Sequence, residues 1–145
     1  MWGVAVKRSG PITRGKPLTK KRGTSTAAKK RKAVALWGAY VHARDVYCQR
    51  CGKSDGRMNA HHVMKRMFAA TFADPDNGVL LCKACHDVMH DDPLEALQFY
   101  SRRFGIDGYQ ALRDKAHGGS GKVMRADFWD DAIRRLSALL EETQP

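Results

Sequence analysis

From about Ala27 to Asp45 apolar and aromatic side chains recur at helical intervals, with Val34, Trp37, Tyr40, Val41 and Arg44 on neighbouring faces. The spacing predicts a helix whose Trp37 and Tyr40 enter the core, with His42 an ordinary surface or packing histidine. Arg57 to Val63 reads as a strand and Val79 to Leu81 as its partner. Between them Lys65 to Phe72 suits a short helix, and Asp74-Pro75-Asp76-Asn77-Gly78 is a turn. Asp92, Pro93 and Glu95 occupy the N-cap, N1 and N3 positions of a further helix that runs to about Phe104 and stops at Gly105. Another begins near Asp107 and ends before Gly118-Gly119-Ser120-Gly121, a flexible link. The last, about Arg125 to Glu142, repeats apolar residues at Phe128 or Trp129, Ile133, Leu136 and Leu140. That stripe either packs on the domain or pairs with a second copy.

Charge divides the 145-residue chain unevenly. The net charge is +11, yet residues 33–145 hold fifteen basic and fifteen acidic residues, while residues 1–32 hold eleven Lys or Arg and no acid. The excess includes the runs Lys20-Lys21-Arg22 and Lys29-Lys30-Arg31-Lys32. Gly10-Pro11, Pro17 and Gly23-Thr24-Ser25-Thr26 argue for a disordered basic arm over 1–32 rather than a packed element. Such an arm neutralises phosphates without reading sequence, and salt weakens its contribution. A solubilising tail is the plainer alternative. The expected organisation is that arm, a domain over 33–117, and the link with its helix over 118–145. The N-terminus lacks the apolar run of a signal peptide and no segment is apolar enough to span a membrane, so a cytoplasmic protein without a membrane partner is expected.

All four cysteines and four of the six histidines fall between Cys48 and His90. Cys48-x2-Cys51 and Cys82-x2-Cys85 have the spacing of two knuckles that share one tetrahedral zinc, with Gly52 easing the turn after Cys51. Four thiolates close that site, so the histidines need their own explanation. His86 and His90 are four residues apart, and on a helix both would grip one ion from the same face. A third imidazole from the intervening insert would leave positions open for water and substrate, the arrangement of a catalytic metal. His61 and His62 are neighbours in a predicted strand and point to opposite faces. One therefore ligates and the other meets a different target; the geometry alone does not say which. Asp74 and Asp76 are weaker candidates, because no spacing pairs them with His86 and His90. Lys65 and Arg66 are placed to hold a phosphate, although solvation is the ordinary fate of such a pair. Asn77-Gly78 suits a turn residue.

His61-His62, Asn77 and His86-x3-His90, framed by the cysteine pairs and preceded by Val79-Leu80-Leu81, resemble the HNH (ββα-metal) nucleases over Cys48 to His90. The resemblance implies an α+β fold: a small ββα-metal (HNH) core with a structural four-cysteine zinc knuckle, flanked by helices, the metal helix starting at about Lys83. It implies His61, His86 and His90 as ligands of a catalytic ion, His62 as general base, and Asn77 as the residue holding the loop that orients His62. Many family members carry Asp where this chain has His61. The implied cofactors are a structural zinc and a catalytic divalent metal, with imidazole suiting Zn, Ni, Co or Mn better than Mg. The implied substrate is DNA, contacted mostly through phosphates, and the implied products carry 5′-phosphate and 3′-hydroxyl ends. After the motif, Pro93 to His117 is weakly similar to phage recombination nucleases of the NinG/Rap type, which do not typically show this histidine set. Small size and a basic arm suit a phage or prophage nuclease acting in a bacterial host cell with packaging or recombination proteins. The alternative class is a non-catalytic, zinc-stabilised DNA-binding module, for which His62 would have no use.

Overall fold

The computed structural model describes residues 25–119 and 123–143. At its centre strand β1 (Met58–His62) pairs antiparallel with β2 (Gly78–Cys82), which sets His61 opposite Val79 and His62 opposite Gly78. Helices α2 (Lys83–Asp91) and α3 (Pro93–Gly118) cover one face, and α1 (Thr26–Asp45) and α4 (Ala126–Glu142) the other. Strand β2 is buried along its whole length, and its side chains alternate between the two faces. Val79 and Leu81 join Met89, Phe99 and Leu112, whereas Leu80 joins Trp37, Val41, Trp129 and Leu136. The result is the expected α+β arrangement, a ββα core flanked by helices.

The start of α1 corrects one expectation. Lys29 to Lys32 do not lie in a disordered arm; they form the first turns of this helix. The Ser25 side chain accepts from the Ala28 N–H and caps it, and Ala27, Ala28 and the basic residues that follow are good helix formers. Lys29 pairs with Asp130 of α4, while the Lys30 ammonium lies 4.7 Å from the Phe72 ring centre. Lys20, Lys21 and Arg22 lie outside the described residues.

At its other end α1 turns sharply. Val46 has φ +59° and ψ −42°, and the Tyr47 N–H donates to the Asp45 carbonyl at 2.6 Å, a γ-turn of the strained kind. The buried Asp45 carboxylate accepts from Leu80 N–H at 2.9 Å and from two nitrogens of Arg44 at 2.7 and 2.9 Å. Arg44 donates further to the carbonyls of Pro75 and Gly78. These bonds stitch the end of α1 to β2 and deliver the chain directly into Cys48.

The connection between the strands also differs from expectation. No helix runs from Lys65 to Phe72; short 3-10 turns form at Ala69–Thr71 and Pro75–Asn77, and Lys65 and Arg66 sit in an exposed loop. The Asn77 side chain instead ties Met64 and Thr71, near the two ends of this stretch, into a loop. Beyond the motif, Asp92 caps α3 by accepting from Leu94 and Glu95, and Gly105 at φ +72° and ψ 161° breaks that helix into two halves, as its position predicts. Helix α4 lays Trp129, Ala132 and Leu136 into the cluster formed with α1, so its stripe packs on the domain. No helix of the described residues is long and apolar enough to cross a membrane.

The γ-turn gives a direct test. A β-branched side chain at positive φ costs on the order of 1–3 kcal/mol. Because Val46 is 67% exposed, Val46→Gly removes that strain without opening a cavity. Glycine also adds about 0.5–1 kcal/mol of unfolded-chain entropy, so relief of the strain should leave the variant with an equal or higher Tm in a thermal melt; a clearly lower Tm would show that the turn is unstrained.

Candidate active site

Two clusters of metal-binding side chains form among the described residues. Cys48, Cys51, Cys82 and Cys85 bring their sulfurs within 4.8 Å of one another. The Cys51 and Cys82 sulfurs are 3.7 Å apart. A tetrahedron with Zn–S bonds of ~2.3 Å has edges of about 3.8 Å, so the four sulfurs fit a zinc ion. Burial disfavours ionisation of Cys48, but N–H groups of Cys82, Cys51 and Arg50 donate to its sulfur and bring its pKa down to about 6. Burial pushes Cys85 up to about 12, opposed by the Arg50 guanidinium 3.5 Å from its sulfur. A central cation is what would let all four ionise together.

The second cluster is His61, His86 and His90, each offering one ring nitrogen within 4.8 Å of the others. His61 comes from β1; His86 and His90 project from one face of α2, a turn apart. The His61 ring meets the other two edge-on, both at 5.1 Å between centroids. Burial, and then the neighbouring histidines, lower the His61 pKa to about 3, and burial likewise lowers that of His86. Neutral imidazoles are what a cation requires, so this donor set fits a divalent ion with coordination positions left open. The His61 Nε2 lies 2.7 Å from the Tyr100 hydroxyl of α3.

His62 points to the opposite face, as strand alternation demands. Its ring lies between Trp37 of α1, 3.8 Å away and 17° from parallel, and Phe72, 5.2 Å away and 18° from parallel. Its Nε2 is 2.9 Å from the Phe72 carbonyl. A carbonyl only accepts, so Nε2 carries the proton and Nδ1 keeps a lone pair. Burial lowers the His62 pKa to about 4, opposed by that carbonyl and assisted by Arg66. The space for Trp37 comes from Gly78, opposite His62 in the sheet: a Cβ there would lie 2.3 Å from Val41 and 3.0 Å from the Trp37 ring.

Fully buried Asn77 organises the loop. Its Oδ1 accepts from the Met64 N–H at 2.6 Å, and its Nδ2 donates to the carbonyls of Met64 at 3.1 Å and Thr71 at 2.8 Å. Thr71 precedes Phe72, so Asn77 fixes the backbone whose next carbonyl holds His62. Asp74 and Asp76 take no part in either cluster; Asp74 caps the 3-10 turn at Pro75, pairs with Lys115 and accepts nothing from the histidines.

His61, His62, His86 and His90 line one concavity of about 470 Å³, with Lys65 and Arg66 on its rim. Lys29 is engaged with Asp130, Lys30 covers Phe72, and Arg31 and Lys32 are exposed. Helical spacing assigns Trp37 to the core only, and it is both core and the stacking partner of His62. Phe72 and Tyr100 carry no sequence signal of their part in the site, because nothing local ties them to a histidine ten or thirty-nine residues away.

Residues 48–92 match the HNH endonuclease family. The matched segment contains both cysteine pairs and all four clustered histidines, and supports a nuclease acting on DNA. Helices α1, α3 and α4 lie outside it. Comparison with curated proteins and with solved structures gave no match.

Elemental analysis should find one tightly held zinc per chain in this HNH segment, lost in Cys82→Ser together with a sharply lower Tm. Retention of that zinc by the variant would refute the four-cysteine assignment. Stability should also depend on acid in a particular direction. His61 and His62 titrate near 6.5 when unfolded but near 3 and 4 when folded, so the unfolded chain binds more protons. Their contribution is complete above about pH 6.5 and declines as the pH falls toward the folded values. Thermal melts from pH 8 to 4 should show Tm falling already between pH 7 and 5, less steeply in His62→Asn. A flat Tm over that interval would contradict the burial of these rings.

Proposed function

We propose that the protein is a metal-dependent DNA endonuclease that hydrolyses phosphodiester bonds at the concavity between β1 and α2. The observation that carries this reading is the pairing of two unlike imidazole environments in one cleft. Three histidines converge on one point, and His62, the next residue of β1, lines the same concavity. A structural metal site has no need of that fourth ring.

In this reading His61, His86 and His90 would hold a divalent ion, which would supply positive charge to stabilise the negative charge that builds at the scissile phosphate. Lys65 and Arg66 bind the phosphate at the rim and set it against His62. His62 Nδ1 takes a proton from water, which attacks phosphorus in line and leaves 5′-phosphate and 3′-hydroxyl ends. The Phe72 carbonyl keeps the opposite nitrogen protonated, so the base is in the required tautomer before substrate arrives. Stacking against Trp37 and Phe72 holds the plane of the His62 ring, and burial there keeps the imidazole neutral and able to accept a proton. Asn77 acts through the loop and not on the substrate. Arg31 and Lys32, with Lys20, Lys21 and Arg22, add phosphate contacts that carry no sequence information.

Supercoiled plasmid incubated with Mg, Mn, Ni, Co or Zn ions should be nicked or linearised, and His62→Ala should slow this by roughly 10²–10⁴-fold. Absence of cleavage with every ion, while DNA is still bound, would replace the nuclease by a zinc-stabilised DNA-binding module.

A further inference from the structure

We infer that Tyr100 is a positioning residue of the histidine metal centre: its hydroxyl oxygen accepts from His61 Nε2–H and so presents Nδ1 as the ligating nitrogen. The inference rests on the metal-centre reading above and extends it beyond the matched segment, which ends at residue 92. Both partners are buried, His61 at 4% and Tyr100 at 6% exposure, and their polar atoms are 2.7 Å apart. A neutral imidazole carries one N–H. If the hydroxyl donated, Nδ1 would hold that proton and could not bind a cation; if the hydroxyl accepts, Nδ1 is free. An ion at the three histidines therefore selects the accepting arrangement, and Tyr100 in turn favours the ion.

The rest of α3 holds Tyr100 in place. The break at Gly105 divides the helix, and Tyr109 from its second half stacks on the Tyr100 ring at 5.9 Å and 19°. Tyr100→Phe keeps that stacking and the buried volume and removes only the oxygen.

Two measurements test the assignment on full-length protein with zinc in the cysteine site. Nickel titration by calorimetry should show one further ion bound, with affinity reduced roughly 10- to 100-fold in Tyr100→Phe while the zinc content is unchanged. Long-range ¹H–¹⁵N spectra of the wild-type protein should show His61 protonated at Nε2. Equal or tighter nickel binding by Tyr100→Phe, or His61 protonated at Nδ1 with nickel bound, would overturn the inference and leave the metal centre standing. Failure of the wild-type protein to bind any second ion would overturn the metal centre and the inference together. Should the variant unfold, the wild-type spectra decide the matter alone.

Discussion

The two-residue period of a β-strand governs this structure. Adjacent histidines on β1 must face opposite sides of a two-stranded sheet, so no single wall can serve both. Each ring is largely withdrawn from water, and a buried imidazole needs a partner for its polar nitrogen. On one side Tyr100 meets His61, and on the other the Phe72 carbonyl meets His62. The helices that cover the sheet are consequently committed in position: α2 and α3 wall the side of the three-histidine cluster, and α1 walls the other.

The cysteine cluster provides the fixed frame for this division. It ties the chain just after α1 to the start of α2, and so gathers the ends of an insert too small to hold a core by itself. Within the insert, one amide takes the place of a secondary-structure element. Asn77 satisfies three backbone groups from two places in the loop, in a stretch where neither helix nor sheet could satisfy them.

Much of the centre is legible because it is written in local spacing. Two knuckles, a four-residue histidine interval and a pair of adjacent histidines each translate into geometry without knowledge of the fold. The strands, the start of α3 at Asp92 and its break at Gly105 are legible for the same reason. A basic arm reaching residue 32 is too long because dense charge resembles disorder, whereas Ser25 and two alanines start a helix that contacts with α4 and Phe72 then hold. In place of the helix expected over Lys65 to Phe72 there is a loop, whose ends at Met64 and Thr71 are held by a side chain at position 77 that no local pattern links to them. Tyr100 and the stacking role of Trp37 are beyond the reach of sequence, since both depend on which helix crosses which face.

The missing side chain at Gly78 has a consequence for modularity. It lets α1 come close enough for Trp37 to lie flat on His62, so the segment bearing the chemical groups is shaped by a helix outside it. Donor atoms can be carried from one protein to another in a single short run of chain; the mould that aims them cannot. Residues 48–92 are in that sense an insert set into a mount. A change on the inner surface of α1 is then a change to the candidate site, although it replaces none of the clustered cysteines or histidines.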